Sequence, residues 1–339
     1  MAKYEGWETI KTISEGGQGQ IYLVKKSDMS DDKYYVLKAL KNKNRIDRFK
    51  EEIKAGLELE HPNIIKVIEY DYETKHPFMI TEFYKNGALK DFEMNKLTFE
   101  EKLQFFKKIL EALVHAHENH VTHRDLKPDN IFLTDNLEPV IGDFGLCLFE
   151  DGERVTVTDE AIGSRYYMAP ENANGRFDDV NYAGDIYSLG KIFYYILTGK
   201  IFDREVHRSE KFDITQEKPF REFYLINEYL DKMIVEYPEK RFPNVITTLN
   251  EYEILLRRIE TGTNCIGYDI PQNCIYCGLG HYKPIRNKIE FGQTVIGDVF
   301  KFIDDGEWIF FQCDHCMNIQ LFRPIMKGSK NRWVKNKEK

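Results

Sequence analysis

The sequence of 339 residues predicts an α+β protein with two lobes, followed by a small β module. Three observations predict this class. Residues 9–83 alternate apolar and polar side chains around a single helical stretch, and residues 97–119 and 179–259 have helical periodicity. Two Cys-x-x-Cys pairs follow in the last quarter of the chain. Strands first and helices afterwards indicate an α+β architecture with segregated layers.

The elements follow from periodicity and from stop signals. Alternation predicts strands between residues 9 and 40, and the apolar spacing from Ile46 to Glu60 is helical until His61-Pro62-Asn63 ends it. The remaining predicted elements are strands up to Phe83, a helix over Leu97–Asn119, short strands and loops over 121–145, and helices from Asp179 to about Ile259.

Composition shifts divide the chain into four segments. These are one domain over residues 1–259 (a strand-rich lobe over about 4–84 and a helical lobe over about 85–259), a linker of turn formers over 260–272, a cysteine-containing module over 273–325, and a basic tail over 326–339. Within the module, Val295–Ile303 and Trp308–Gln312 flank Asp304-Asp305-Gly306, which predicts a hairpin with an Asp-Gly turn.

The charge balance limits the possible partners. A net charge of −8 argues against a general nucleic-acid binder. The basic tail is the exception, and two interpretations stay open for it: a solvated terminus, or a docking segment for an anionic partner. The sequence has no apolar run of about 18 residues, and its first residues lack the apolar stretch of a signal peptide. A cytoplasmic protein without a membrane partner is therefore expected.

A glycine-rich segment and a lysine predict a phosphate site. Glu15-Gly16-Gly17-Gln18-Gly19-Gln20-Ile21 lies between two predicted strands, where glycines let backbone N–H groups approach phosphate oxygens. Lys38 follows on the next strand, and Glu52 lies on the next helix as a partner for an ion pair. Each feature alone is weak evidence, but the three together favour phosphate binding.

The most specific string is His123-Arg124-Asp125-Leu126-Lys127-Pro128-Asp129-Asn130. Transfer of a phosphoryl group to a hydroxyl needs an acceptor for the hydroxyl proton, a cation near the developing charge, and a metal ligand. Asp125, Lys127 and Asn130 supply these types, and Asp143 in Asp143-Phe144-Gly145 adds a carboxylate for Mg²⁺. The spacing therefore predicts magnesium-dependent phosphoryl transfer.

These strings resemble the eukaryotic-type (Hanks) protein kinases, from the glycine-rich segment to about Ile259. The resemblance implies a bilobal protein-kinase fold with ATP between the lobes. It implies that Asp125 is the base, that Lys127 neutralises phosphate charge, that Asn130 and Asp143 bind Mg²⁺, and that Lys38 holds the α/β-phosphates with Glu52 as its partner. The residues that it places around the nucleotide are Ile13, Ser14, Gly16, Gly17, Gly19, Ile21, Val36, Lys38, Thr81 (the gatekeeper), Glu82, Tyr84 and Phe132.

Five positions depart from the family pattern. Ser14 replaces the first loop glycine and Gln18 the usual aromatic at the loop tip. Val36 stands where alanine normally lines the adenine pocket, and Phe132 is bulkier than the usual leucine. Gly56 falls where the helix normally contributes an apolar residue behind the glutamate. These departures concern nucleotide affinity and the stability of the active state, because every proton-transfer and metal position is retained.

The segment Gly163–Glu171 resembles the peptide-positioning segment of protein kinases and ends in their Ala-Pro-Glu. By that resemblance Ser164, Arg165 and Tyr166 position a protein substrate. The resemblance also places Arg241 to pair with Glu171. Lys127 after the base, together with Ser164, resembles the serine/threonine branch of the family.

Phosphorylation of the chain itself is a further expectation. Arg124 directly precedes the base, an arrangement that in the family accompanies activation by loop phosphorylation. Thr156 and Thr158 are the candidate sites, since a phosphate there adds about −1.5 to −2 of charge and pairs well with arginine. An ordinary polar loop with unmodified threonines is the alternative.

Two cysteine pairs predict a metal site. Cys274/Cys277 and Cys313/Cys316 are separated by 35 residues, and four thiolates complete a tetrahedral Zn²⁺ site without an open position. The arrangement resembles a zinc ribbon, so a structural site is expected. Unrelated buried or redox-active cysteines are the alternative.

Two functions from different classes remain. The first is an active kinase with ATP, Mg²⁺ and Zn²⁺, whose ribbon recruits a protein substrate or partner. The second is a catalytically quiet scaffold with a kinase fold that binds protein or nucleic acid through the ribbon. Lys38, Asp125, Asn130 and Asp143 are all present, which favours the first.

Overall fold

A computed structural model describes most of the chain in two compact units. The described residues are 4–15, 19–27, 33–144, 148–149, 166–173, 182–217, 221–260, 274, 276–280, 282–284, 309–313 and 315–322. One unit comprises Met1–Gln216 with Leu230–Leu249, and the other comprises Glu217–Tyr229 with Asn250–Lys339. The predicted α+β class is confirmed.

The first unit begins with a five-stranded antiparallel sheet of order β1-β2-β3-β5-β4. Its strands are β1 (Trp7–Glu15), β2 (Gly19–Lys26), β3 (Tyr35–Leu40), β4 (Val67–Asp71) and β5 (Phe78–Glu82). One face is covered by a buried cluster that includes Tyr4, Trp7, Leu37 and Ile80. Successive residues of a strand point to opposite faces, so Lys38 on β3 projects away from this cluster.

Helix α1 (Ile46–Glu58) covers the other face of the sheet. Phe49 and Ile53 of α1 form a buried cluster with Val67 and Met79 of the sheet. The helix ends two residues before the predicted Glu60, because Leu59 already leaves helical geometry with φ −87° and ψ 89°. Its packing turns Glu52 towards the strand that carries Lys38.

The helical part of the first unit is built around α2 and α4. Its helices are α2 (Phe99–Glu118), α3 (Pro170–Ala173), α4 (Tyr182–Thr198) and α5 (Ile214–Glu217), and its short strands are β6 (Val121–Thr122), β7 (Ile131–Leu133), β8 (Pro139–Ile141) and β9 (Leu148–Phe149). The pairs β6–β9 and β7–β8 are antiparallel. Helix α2 starts at Phe99 because Thr98 and Glu101 form a capping box. Phe106 and Phe193 stack at 4.2 Å between ring centroids and join α2 to α4.

The second unit combines helical segments with a small sheet. Helices α6 (Arg221–Leu230) and α7 (Val245–Glu260) contribute to it, and Arg258 donates a hydrogen bond to Glu228 at 3.2 Å. Strands β10 (Tyr282–Pro284), β11 (Ile309–Cys313) and β12 (Ile319–Phe322) form an antiparallel sheet of order β10-β11-β12. The sheet is compatible with the predicted ribbon.

Some predicted features lie outside the described residues. These are the Asp-Gly turn and the first strand of the predicted hairpin, most of the linker, and the basic tail. The periodicity over residues 97–119 and 179–259 corresponds to helices, as expected. Where the structure describes the chain, no helix has the length and apolar character needed to cross a bilayer.

Candidate active site

Lys38 lies at the centre of a partly buried charged cluster, in which only Glu52 is fully buried. Its Nζ atom is 2.6 and 2.7 Å from the two carboxylate oxygens of Glu52, and 3.1 Å from Oδ1 of Asp143. The ion pair of Lys38 with Glu52 is therefore present as predicted. It joins β3 to α1, and the contact with Asp143 joins both to the segment after β8.

The charges of this cluster shift the pKa values of its members. Burial acts to lower the pKa of Lys38, but the charges of Asp143 and Glu52 outweigh it and hold that pKa above its usual value. The charge of Lys38 lowers the pKa of Asp143 against the effect of burial. Burial raises the pKa of Glu52 to about 7, although Lys38 opposes the shift. Lys38 and Asp143 are consequently an ammonium and a carboxylate at neutral pH.

Asp125, Lys127 and Asn130 form a second polar cluster. Lys127 Nζ donates to Asp125 Oδ2 at 2.6 Å. Asn130 Nδ2 donates to the Asp125 carbonyl oxygen at 2.8 Å and to Oδ2 at 3.2 Å. A tight turn over Pro128–Asn130 brings the amide back to the aspartate, and Asn130 is buried there. The structure thus brings the three predicted residues together.

Asp185, at the start of α4, anchors the backbone of this loop. Its carboxylate accepts hydrogen bonds from the amides of His123 and Arg124, both at 2.8 Å, and its Oδ2 atom is 2.9 Å from His117 Nε2. Burial acts to raise the pKa of Asp185, but the bond to His117 and the charges of the histidines lower it overall. Arg124 has φ +65°, a left-handed conformation that costs a non-glycine residue about 1–3 kcal/mol. The carboxylate stabilises that conformation.

Phe144 fixes the orientation of the neighbouring Asp143. Its ring is buried and lies 4.6 Å from the His123 ring, whose Nε2 atom is 3.0 Å from the carbonyl oxygen of Gly142. Asp143 itself has φ +59°. With the phenylalanine inside the core, the aspartate side chain points towards Lys38.

The residues predicted to surround adenine lie on β3, β5 and β7, except for Tyr84, which follows β5. Val36 pairs with Thr81 across β3 and β5, and Thr81 is buried. Glu82 follows in β5 and pairs with Lys33 at 3.0 Å. Tyr84 stacks on Phe132 with centroids 6.0 Å apart. The bulky Phe132 is accommodated at Gly142, where an added Cβ would lie 2.8 Å from the Phe132 ring.

The glycine-rich segment is described only on its two sides. Ser14 pairs with Ile21 across β1 and β2, whereas Ile13 lies at a bulge and is exposed. Gly19 begins β2, and a Cβ there would lie 2.4 Å from the carbonyl oxygen of Ala39, so only glycine fits. The predicted residues Gly16 and Gly17 lie outside the described part of the chain.

The predicted pairing of Glu171 with Arg241 is confirmed. The guanidinium donates to both carboxylate oxygens, at 2.6 and 2.9 Å, and to the carbonyl oxygen of Ala183 at 2.9 Å. Nearby, Tyr166 is partly exposed, and the carbonyl oxygen of Tyr167 accepts a hydrogen bond from Ser188. Four other predicted residues lie outside the described residues: Ser164, Arg165, Thr156 and Thr158.

The four predicted zinc ligands converge in the second unit. The Sγ atoms of Cys274, Cys277, Cys313 and Cys316 lie within 4.8 Å of one another, and the pairs Cys274–Cys316 and Cys277–Cys313 are 3.7 Å apart. Bonds of about 2.3 Å to a tetrahedral zinc ion require a sulfur–sulfur separation of about 3.8 Å. No disulfide joins them. The donor set and its size therefore fit Zn²⁺.

Backbone amides complete the surroundings of the sulfurs. The amide of Gly280 donates to Cys277 Sγ, and the amides of His315 and Cys316 donate to Cys313 Sγ, at 3.3–3.4 Å. Such bonds stabilise thiolates and orient metal ligands. Sequence reasoning did not predict them, because they depend on the conformation of the turns that follow Cys277 and Cys313.

Sequence reasoning also missed the role of His117. In the sequence it belongs to the apolar periodicity of α2, but in the structure its ring reaches Asp185. The sequence feature that could have revealed this role is a polar residue on an otherwise apolar helical face. It indicates a buried hydrogen-bond partner.

Comparisons with known proteins agree with this geometry. A family model described as "Protein kinase domain" matches residues 7–254. Serine/threonine-protein kinase PrkC of Bacillus subtilis (strain 168) is 31% identical over 207 residues, which cover 59% of this chain and 31% of the relative. A probable serine/threonine-protein kinase of Clostridium acetobutylicum, CA_C1728, is 28% identical over 254 residues, which cover 70% and 38%. Each match spans about a third of the relative's own length.

Proposed function

The chain belongs to the protein kinase family, and from that membership we propose that it transfers the γ-phosphoryl group of ATP to serine or threonine hydroxyls of protein substrates. One observation carries the proposal. Lys38 contacts Glu52 and Asp143 at the same time, so the lysine for the phosphates and the carboxylate for the metal face the same space.

The chain's own residues then have distinct tasks. Asp125 accepts the proton of the attacking hydroxyl, and Lys127, 2.6 Å from it, stabilises the negative charge that develops on the transferred group. Lys38 holds the α- and β-phosphates. The anchoring of the loop backbone by Asp185 keeps the base in place during the reaction.

Asn130 and Asp143 are the residues that would hold Mg²⁺. Asp143 is ionised because of Lys38, and Asn130 uses its Nδ2 atom to hold Asp125, so its amide oxygen is the atom that remains for a cation. Held by these two residues, magnesium would supply positive charge that offsets the negative charge of the phosphates.

The direct test is phosphoryl transfer by an Asp125→Asn variant. Loss of a general base lowers the rate by about 10²–10⁴-fold, so labelling of a protein acceptor by Mg-ATP should fall by that factor. Asp129→Asn is the matched control, because this exposed carboxylate pairs with Lys90 and lies four residues away. Equal activity of wild type and Asp125→Asn would contradict the proposal.

We also propose autophosphorylation at Thr156 or Thr158. The support is the position of Arg124 directly before the base, where its charge can pair with a phosphate. Mass spectrometry after incubation with Mg-ATP should detect the modification in wild type and not in Asp125→Asn. A fully active sample with both threonines unmodified would end this idea.

The cysteine cluster supports a structural zinc site. We expect one tightly bound zinc per chain, and none after Cys277→Ser and Cys313→Ser are combined. Elemental analysis of freshly purified, reduced protein measures this, and a result without zinc would refute the site.

We further propose that the zinc module docks a protein substrate or partner and that the protein acts in the cytoplasm. The support is chemical, since a site with four thiolates has no open position for catalysis. The scaffold function predicts a different set of results. The chain would transfer no phosphoryl group, and a partner would stay bound to Asp125→Asn but dissociate when zinc is chelated.

A further inference from the structure

A cavity of about 740 Å³ lies on the sheet of the first unit. It borders the buried cluster around Tyr4 and Tyr22, which covers the face opposite α1. Lys38 projects to the α1 side of β3, whereas its neighbour Ala39 lines the cavity. The cavity is therefore distinct from the phosphate site around Lys38. It is lined by Tyr4, Thr9, Ile10, Lys11, Thr12, Gln20, Tyr22, Ala39, Leu40, Lys41, Lys43, Lys75 and His76.

The charge of this cavity is opposite to that of the whole chain. Four lysines and a histidine line it and no carboxylate does, although the chain has 56 acidic and 48 basic residues. Lys41 forms an ion pair with Glu15. Among the described residues, Lys11, Lys43 and Lys75 form no ion pair. Three uncompensated ammonium groups around one concave space attract an anion that carries more than one charge.

The cavity also offers apolar and aromatic contacts. The rings of Tyr4 and Tyr22 lie 6.3 Å apart, and Ala39 contributes to the floor. A bulge in β1 at Ile10 interrupts the alternation of the strand, and four consecutive residues, Thr9 to Thr12, line the cavity as a result. A ligand in this space contacts hydroxyl groups and apolar surface as well as the lysines.

We propose that this cavity binds a small organic phosphate of nucleotide size that carries two or more negative charges. Lysine binds phosphate as a point charge, and the volume lies within the range of about 300–1,000 Å³ that small-molecule sites have. The ligand contacts three segments at once: the hairpin that continues into the glycine-rich segment, the connection from β3 to α1, and the turn between β4 and β5. The proposal stands independently of the catalytic function.

Uridine diphosphate is a suitable probe, and isothermal titration calorimetry measures its binding. Removing two lysines should weaken binding by about tenfold or more, so Lys11→Gln combined with Lys75→Gln is the test variant. Lys66→Gln is the matched control, because this exposed lysine lies on the same lobe outside the cavity and should change the affinity less than about twofold. Lys38→Met separates the cavity from the catalytic cleft and should leave the affinity unchanged.

Three results would overturn the proposal. The first is the absence of saturable binding of uridine diphosphate at low salt. The second is a loss of affinity in Lys66→Gln as large as in the Lys11→Gln, Lys75→Gln double variant, which would indicate unspecific attraction. A large loss in Lys38→Met would likewise overturn it, because it would indicate binding in the catalytic cleft. The third is tighter binding of a phosphothreonine peptide than of uridine diphosphate, which would identify a macromolecular ligand instead.

Discussion

Gly56 shows how one missing side chain changes the packing behind the catalytic ion pair. It lies on α1 one turn after Glu52, and a Cβ there would lie 2.5 Å from Cγ2 of Val67. Val67 is buried and occupies the space that an apolar side chain from the helix would otherwise fill. The departure from the family pattern is thus compensated by β4 and leaves the position of Glu52 intact.

Gly56→Ala should destabilise the protein in spite of the better helix propensity of alanine. The propensity gain is about 1 kcal/mol, whereas overpacking costs about 1–3 kcal/mol. We expect a net loss of about 1 kcal/mol in urea unfolding. In a double-mutant cycle, Val67→Ala should remove most of the cost of Gly56→Ala, because it opens the space. Additive effects of the two substitutions would contradict this packing.

Lys191 is a buried titratable side chain that the catalytic proposal does not use. Its Nζ atom donates to the carbonyl oxygens of Phe202 and Arg204 at 2.7 and 2.9 Å, and lies 3.5 Å from the centroid of the Phe202 ring. Burial lowers the pKa of Lys191 to about 7. The lysine thereby holds the connection after α4 against the helix.

This shift predicts a pH dependence of stability. Between about pH 7 and 10.5 the unfolded chain binds the proton of Lys191 and the folded chain has released it. The free energy of unfolding should therefore rise with pH in this window, by up to about 1.4 kcal/mol per pH unit. Urea unfolding of Lys191→Met should lack this contribution. If the free energy of unfolding changes with pH in the same way in wild type and Lys191→Met, the lowered pKa of Lys191 is refuted.

At the scale of elements, Arg241 connects α3 to α4. Its side chain is fully buried, and besides the two bonds to Glu171 it donates to the carbonyl oxygens of Val235 and Glu236. A guanidinium presents a planar fork that a lysine ammonium cannot reproduce. The pair therefore fixes the segment that ends at Glu171 to the helical part of the unit.

Arg241→Lys should destabilise the first unit strongly. Lysine keeps the charge but cannot reproduce the five hydrogen bonds of the guanidinium, so the expected loss approaches the roughly 3–5 kcal/mol that breaking a buried ion pair costs. The control is Arg258→Lys at the more exposed pair with Glu228, where the loss should stay below about 1 kcal/mol. Chemical unfolding compares the two. Equal losses in the free energy of unfolding would show that the buried guanidinium of Arg241 stabilises the protein no more than the more exposed one of Arg258.

The elements themselves follow from the sequence to different degrees. The periodicity around Phe106 and Leu113 predicts α2, and its start depends on the cap at Thr98, which a count of apolar residues does not register. The two Cys-x-x-Cys pairs predict that their four sulfur atoms lie close together, because a single zinc ion binds all four thiolates. The cavity on the sheet was not predicted, since Lys11, Lys43 and Lys75 come together only through the sheet order.

At the scale of the whole molecule, the catalytic residues were the most predictable part. Asp125, Lys127 and Asn130 lie within six residues of one another, so local chemistry alone indicates their roles. The residues that hold the catalytic loop in place are less predictable. Asp185 reaches the loop over 62 positions of the sequence, and only the packing of α4 against α2 reveals the contact with His117.

The most direct measurement is the transfer of labelled γ-phosphate from ATP to a protein acceptor in the presence of magnesium, followed by identification of the phosphorylated amino acid. The account predicts phosphoserine or phosphothreonine, and no label when magnesium is withheld. Label on tyrosine alone, or no label on any polypeptide including the chain itself, would contradict it.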